Sequence, residues 1–480
     1  MLFSSITFLV FFFPAVLVLY FAVPAMRWRN CVLLLASLLF YAWGEPKFVF
    51  LMLASIVFNY GAGLLLGRLR RRKLVLFLAV AANVGVLFVF KYLGFSIKII
   101  DLFLDALHVR TLSAVNLVMP IGISFYTFQS ISYLVDVYRT PALAQKNPLS
   151  IGLYIAFFPQ LIAGPIVRYH DINTQIESRT HSMEKIALGL ERFIVGLSKK
   201  VLLANAFALV CDKIYGARLN EFGAYAAWIA AFAYTLQIYY DFSGYSDMAI
   251  GLAKIFGFDL IENFNYPYAA SSITDFWRRW HISLTNFFRD YVYIPLGGNR
   301  RGVARTAANR LIVFFATGLW HGAALNFILW GLAHGFLMTV ERLFGASKPA
   351  MLPAVPWRRK LFLAVLSHAY TIACVVFLWV LFRTGTGVSL KLFLKMAGIQ
   401  MQPVVLNEYL HLYIDTRFFI LAAIGVVFCV PWWRKIAFPA SGASAMVLLS
   451  LKYCALAVLF VLCYANLADN SYNPFIYFRF

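Results

Sequence analysis

The stretch Arg68-Leu69-Arg70-Arg71-Arg72-Lys73 separates two apolar runs, at about 48–67 and 74–93. Each run is close to the ~20 residues a helix needs to cross a hydrocarbon core. A six-residue link with five cations allows the pair to be only a helical hairpin with a basic turn. Outward from it, further runs of this kind lie at about 6–25, 31–43, 117–137, 201–215, 225–245, 361–382, 415–431 and 445–466. Shorter or interrupted apolar stretches occupy 150–167, 309–320 and 323–341. Arg27/Arg29, the 68–73 cluster and Arg139/Lys146 fall in alternate loops, whereas Gly44-Glu45-Pro46 and 94–116 are poorer in Lys and Arg. With the N-terminus outside, all three basic loops are cytoplasmic, as the positive-inside rule requires.

Composition agrees. Of 480 residues, 62% are hydrophobic and 13% charged, against about 45–50% and about 25% in soluble domains. Lipid must therefore solvate much of the surface. The 42 Lys and Arg against 20 Asp and Glu give a net charge of +22, which basic cytoplasmic loops explain. No nucleic-acid recognition motif accompanies it. The first span has no basic residue ahead of it and Arg27 and Arg29 behind it, the reverse of a secretory signal. It is expected to remain as a membrane helix. Cys31, Cys211, Cys374, Cys429, Cys454 and Cys463 form no CxxC pair and read as buried hydrophobes. The fold class is all-α: a polytopic membrane protein of roughly 10–12 transmembrane helices, with broken and interfacial helices around a buried channel. With no fixed-period repeat and no soluble segment, a single membrane domain over 1–480 is expected.

Four stretches stand out, the first for its backbone and the other three for possible chemistry. Segment 150–167 contains Pro159, Gly164 and Pro165 and predicts a re-entrant or broken helix, since irregular backbone at membrane depth survives only inside protein or beside water. Ser272 and Asp275 have capping-box spacing, so a helix begins there and aligns Trp277, His281, Leu284 and Phe288 on one face. By composition alone this helix reads as an interfacial anchor with Arg278 and Trp277 at the headgroups. His321 lies in an apolar run between Gly318 and Gly322, and an ionisable group at that depth marks either a function or a hydrogen bond to a neighbouring helix. The pairs Gly318/Gly322 and Gly331/Gly335 have the small-xxx-small spacing of close helix contacts. His334 reads as packing. Asp241 and Asp247, at the end of the 225–245 span, read equally as an ion path or as helix termination. His108, His170, His181, His368 and His411 show no metal-ligand spacing, and no metal or bound cofactor is expected.

Several of these stretches together resemble the membrane-bound O-acyltransferase family, and most closely its bacterial branch typified by the membrane subunit of alginate O-acetylation. The resemblance runs through Met119–Gln129, Phe157–Pro165, Trp277–His281, Phe288–Tyr291, Tyr293–Asn299 and Trp320–Gly322, and ends in Asn473–Phe478. The catalytic motifs fall at about 270–340. The resemblance implies an acyltransferase with His321 catalytic and His281 a second essential histidine. It implies acetyl-CoA as donor, an exported polysaccharide such as alginate as final acceptor, and periplasmic acetyltransferase partners at the bacterial inner membrane. On this view Arg278, Arg279, Arg300 and Arg301 hold coenzyme A phosphates. Trp320 and Asn326 flank the substrate, and His281, Asn326 or backbone N–H groups face the oxyanion. The residues alone leave open a transporter or flippase. Within the family, D-alanyl, peptidoglycan or cellulose chemistry is also open.

Overall fold

The computed structural model describes residues 1–109, 112, 117–344, 357–399, 412–432, 442–469 and 472–476. His411, Tyr477 and Phe478 lie outside them. Among the described residues the regular structure is helical throughout, and five helices are long and apolar enough to cross a membrane. The chain divides into two compact units, Met1–Phe193 with Met248–Ile261, and Ile194–Asp247 with Glu262–Phe480.

In the first unit, α1 (Phe13–Ala22), α2 (Met26–Gly44), α3 (Val49–Arg68), α4 (Arg72–Lys91), α5 (Leu93–Ala106) and α6 (Ile123–Arg139) are followed by α7 (Pro148–Ala156), α8 (Phe158–Leu161), α9 (Tyr169–Glu177) and most of α10 (Met183–Ser198). Arg72 ties the basic loops to one end. Its Nε donates to Leu66 O at 3.0 Å, and its Nη2 to Val137 O at 2.9 Å and to Tyr138 O. The carbonyls left over at the ends of α3 and α6 are thus satisfied by one guanidinium, and the 68–73 and 139 loops share a face. Gly63 permits that approach, because a Cβ there would meet Tyr133 OH at 2.1 Å. Segment 150–167 is a broken helix, as expected: α7 stops at Ala156, Phe157 leaves helical geometry with φ −51° and ψ 110°, and α8 is one turn long. The break is wholly buried, and Ser37 Oγ accepts the Phe158 N–H at 3.0 Å. The 94–116 loop is corrected in part, since 93–106 is helical with a strongly one-sided apolar face.

The second unit holds α11 (Asn205–Gly216), most of α12 (Ala224–Ile255), α13 (Ile273–Arg279), α14 (Ile282–Phe288), α15 (Gly302–His321), α16 (Leu325–Leu343), α17 (Trp357–Thr384), α18 (Thr386–Met396), α19 (Thr416–Phe428) and α20 (Ala443–Asp469). Two expected spans are longer than hydropathy suggests. The 201–215 span is part of one helical stretch from Met183 to Gly216, with a wider turn at Lys199–Ala204. The 225–245 span continues to Ile255. The reason is the same for both: Lys199 pairs with Asp247 at 2.6 Å and Lys200 with Asp241 at 2.9 Å. Each cation cancels a carboxylate on the facing helix, so charges that look like span ends lie within buried helix. The stretches at 309–320 and 323–341 are likewise full helices, α15 and α16. Of the cysteines, Cys211, Cys429 and Cys463 are buried, whereas Cys454 is exposed on α20.

Candidate active site

Helices α15 and α16 make the tightest hairpin of the second unit, and glycine is what makes it tight. A Cβ on Gly318 would meet Phe327 O at 2.4 Å, and one on Gly331 would meet Phe314 O at 2.2 Å. The small-xxx-small spacing therefore does close the two helices, with the backbones themselves in contact. The hairpin sets His321, the last residue of α15, against the Trp330 ring of α16 at 5.1 Å and 88°. Phe382 of α17 packs on the imidazole at 5.2 Å and Trp320 at 4.9 Å.

His281 arrives from a different direction. Ser272 does cap a helix, its Oγ accepting the Asp275 N–H at 3.0 Å. A second cap comes from α16, where Glu341 accepts the Ile273 N–H at 2.5 Å and the Thr274 N–H at 2.9 Å. The helix, however, ends at Arg279. The single face through Trp277, His281, Leu284 and Phe288 is not formed: Trp280 is extended and His281 is left-handed, with φ 45° and ψ 51°. The break turns His281 away from Trp277, which packs instead on His334, Trp330 and Phe314.

The break brings His281 to His321. The two rings are 6.4 Å apart at 63°, and Trp320 bridges them, 5.6 Å from His281. His281 is fully buried and His321 is 7% exposed. Beside His321 is a cavity of about 10 Å³ walled by Ile238, Phe242, Trp280, Trp379, Phe382 and Ile476. Two imidazoles in an aromatic box are equipped to accept and pass a proton with little competing water.

The other expected residues are placed as follows. Asn326 donates its amide to Phe382 O at 3.0 Å, bracing α16 on α17. Arg279 pairs with Asp275 at 3.0 Å, and Arg278, Arg300 and Arg301 are exposed. None of the four lines the cavity. His334 is buried among the rings of Phe276, Trp277 and Trp330. Asp241 sits inside α12, paired with Lys200, and its Oδ2 accepts the Ile476 N–H at 2.8 Å. Lys200 also donates to Pro474 O, and Phe475 stacks on Tyr245 at 4.7 Å. The terminal motif is thus held so that Ile476 enters the cavity wall. Phe242 lies in the Asp241–Asp247 stretch, whereas Trp379, Phe382 and Ile238 were not marked by any motif. Span hydropathy alone carried them, and it does not distinguish a cavity-lining ring from a lipid-facing one.

The chain is thus an all-helical membrane protein that gathers two buried histidines, one ending α15 and one in the break between α13 and α14. Residues 141–390 match the model of MBOAT, the membrane-bound O-acyltransferase family, and the chain belongs to that family. It is an acyltransferase. It is 36% identical over 503 aligned positions, covering all of both chains, to a Pseudomonas putida protein named "Probable alginate O-acetylase AlgI". It is 36% identical to the peptidoglycan O-acetyltransferase of Helicobacter pylori, across 83% of this chain and 80% of that one. Identity to the teichoic acid D-alanyltransferase of Bacillus subtilis is 31%, across 53% of this chain and 67% of that one.

Proposed function

We propose that the chain takes an acetyl group from acetyl-CoA at the cytoplasmic face of the bacterial inner membrane and delivers it for O-acetylation of an exported polysaccharide such as alginate. The observation that carries this reading is the buried His281–His321 pair, set in a chain similar along its whole length to a named alginate O-acetylase. His321 accepts the proton of the attacking hydroxyl. The hydroxyl oxygen bonds to the thioester carbonyl, and the tetrahedral intermediate collapses to expel the coenzyme A thiolate, which takes the proton back. The exposed Arg278, Arg300 and Arg301 receive phosphate oxygens through their planar forks. The hydroxyl belongs to a periplasmic partner protein or to the polymer itself.

Purified protein in liposomes, supplied with labelled acetyl-CoA and with unacetylated alginate as hydroxyl acceptor, tests this reading. Release of coenzyme A by the wild type and its loss in His321→Ala at equal protein abundance is the expected result. Acetyl-CoA turnover unaffected by His321→Ala refutes the role of His321. Turnover only with a D-alanyl donor would point instead to the transfer in the Bacillus relative's name.

A further inference from the structure

We infer that Asn263 is the positioning residue of the histidine pair: it holds the proton of His281 on Nδ1 and leaves Nε2 as a pure acceptor. What this does for transfer rests on the acyl-transfer reading above; the arrangement itself does not.

Asn263 is fully buried in the irregular segment between α12 and α13. Its Oδ1 accepts the Ser283 N–H at 3.2 Å and the Ser283 hydroxyl at 2.8 Å. A backbone N–H only donates, so the atom it faces is the amide oxygen, and the orientation of the side chain is fixed by that bond. The amide nitrogen points the other way, donating to Ser246 Oγ at 3.0 Å. His281 Nδ1 lies 3.2 Å from the same Oδ1, and an oxygen with no hydrogen requires one from the ring. In a neutral imidazole the lone pair is then on Nε2, which has no hydrogen-bond partner among the described residues.

Asn263 also secures the backbone that aims the ring. Its carbonyl accepts the Ile282 N–H at 3.0 Å, so residues 281–283 are gripped from main chain and side chain together. That grip holds His281 at φ 45°, a left-handed conformation uncommon for a side chain of this size. Around the ring stand Phe242, Phe264 and Trp320, all uncharged, with His321 the titratable neighbour. The charged groups nearest in sequence on the packed helices are already paired, Asp241 with Lys200 and Asp275 with Arg279. Among the described residues no carboxylate is bonded to the ring to compensate an imidazolium, so the neutral form is retained. A neutral His281 with its proton on Nδ1 has no N–H for an oxyanion. Its Nε2 accepts, either from the attacking hydroxyl or from the N–H of His321, and the oxyanion must be met by other donors.

Asn263→Asp tests this while keeping the oxygen that Ser283 and His281 need. The carboxylate favours imidazolium, so the acidic limb of the rate profile for coenzyme A release should move up by about 1–3 pH units. Ser283→Ala, which removes one donor to Oδ1 but not the ring contact, should leave the limb in place. The second measurement needs no turnover. Solid-state ¹⁵N NMR of histidine-labelled protein in liposomes, with the His281 signal identified by its loss in His281→Asn, should show Nδ1 protonated and Nε2 bare. In Asn263→Asp both nitrogens should be protonated at neutral pH. A proton on Nε2 in the wild type, or Asn263→Asp with signal and profile both unchanged, overturns the inference. Absence of coenzyme A release from the wild type counts against the acyl-transfer reading only, and the tautomer is still read.

Discussion

Gly331→Ala should cripple the enzyme without touching either histidine. The added Cβ would stand 2.2 Å from Phe314 O, whereas real Cβ atoms come no closer than 3.0 Å. Phe314 O is a backbone carbonyl inside α15, so no rotamer relieves the overlap, and the α15–α16 hairpin must open by about 1 Å. Trp330, the preceding residue, packs on His321 at 5.1 Å, so the opening passes straight into the site. Overpacking of this kind costs about 1–3 kcal/mol of stability, and a 1 Å misplacement of reacting groups can cost on the order of 10²-fold in rate. The assay is coenzyme A release in proteoliposomes at matched protein, beside thermal unfolding in detergent. Gly85→Ala is the control, since nothing lies within 4 Å of its Cβ. Wild-type turnover in Gly331→Ala would show that the hairpin's closeness does not position His321, and would refute the argument.

Lys200→Met should lower stability by about 3–5 kcal/mol, because it leaves Asp241 charged and buried; the double variant Lys200→Met/Asp241→Asn should recover much of the loss, read by unfolding temperature. Glu341→Ala should cost about 1–3 kcal/mol by orphaning the buried Ile273 N–H, whereas Glu341→Gln, which keeps an acceptor, should cost less. The Asp136 carboxylate, 2.9 Å from His170 Nδ1, raises the His170 pKa above its ordinary 6.5. A raised folded-state pKa gives stability that is fully present below 6.5 and is lost as pH rises through the higher folded value. The unfolding temperature should therefore fall as pH climbs above 6.5, and His170→Gln should flatten that slope.

Features encoded within a turn or a span are legible in the residues alone. Hydropathy specified an all-helical membrane chain, Pro159 with its flanking residues marked the broken helix, Ser272 marked a helix start, and the glycine spacing marked a close hairpin. Each is a local rule of period, cap or backbone sterics, readable from a few consecutive residues. Tertiary structure decided the rest. Asp241 reads equally as an ion path or a helix end from its neighbours in sequence, and it is Lys200, 41 positions away, that neutralises it inside the helix. Residues 272–288 read as one helix because no proline or glycine interrupts them, yet Asn263 bonds to 281–283 and stabilises a left-handed residue that local propensity opposes. Glu341 caps a helix that begins 68 residues earlier, and Ile476 reaches the cavity wall through a bond to Asp241. These placements rest on buried polar pairs between distant segments. Such pairs are strong because burial leaves no water to compete, and their partners cannot be read from the sequence near either residue.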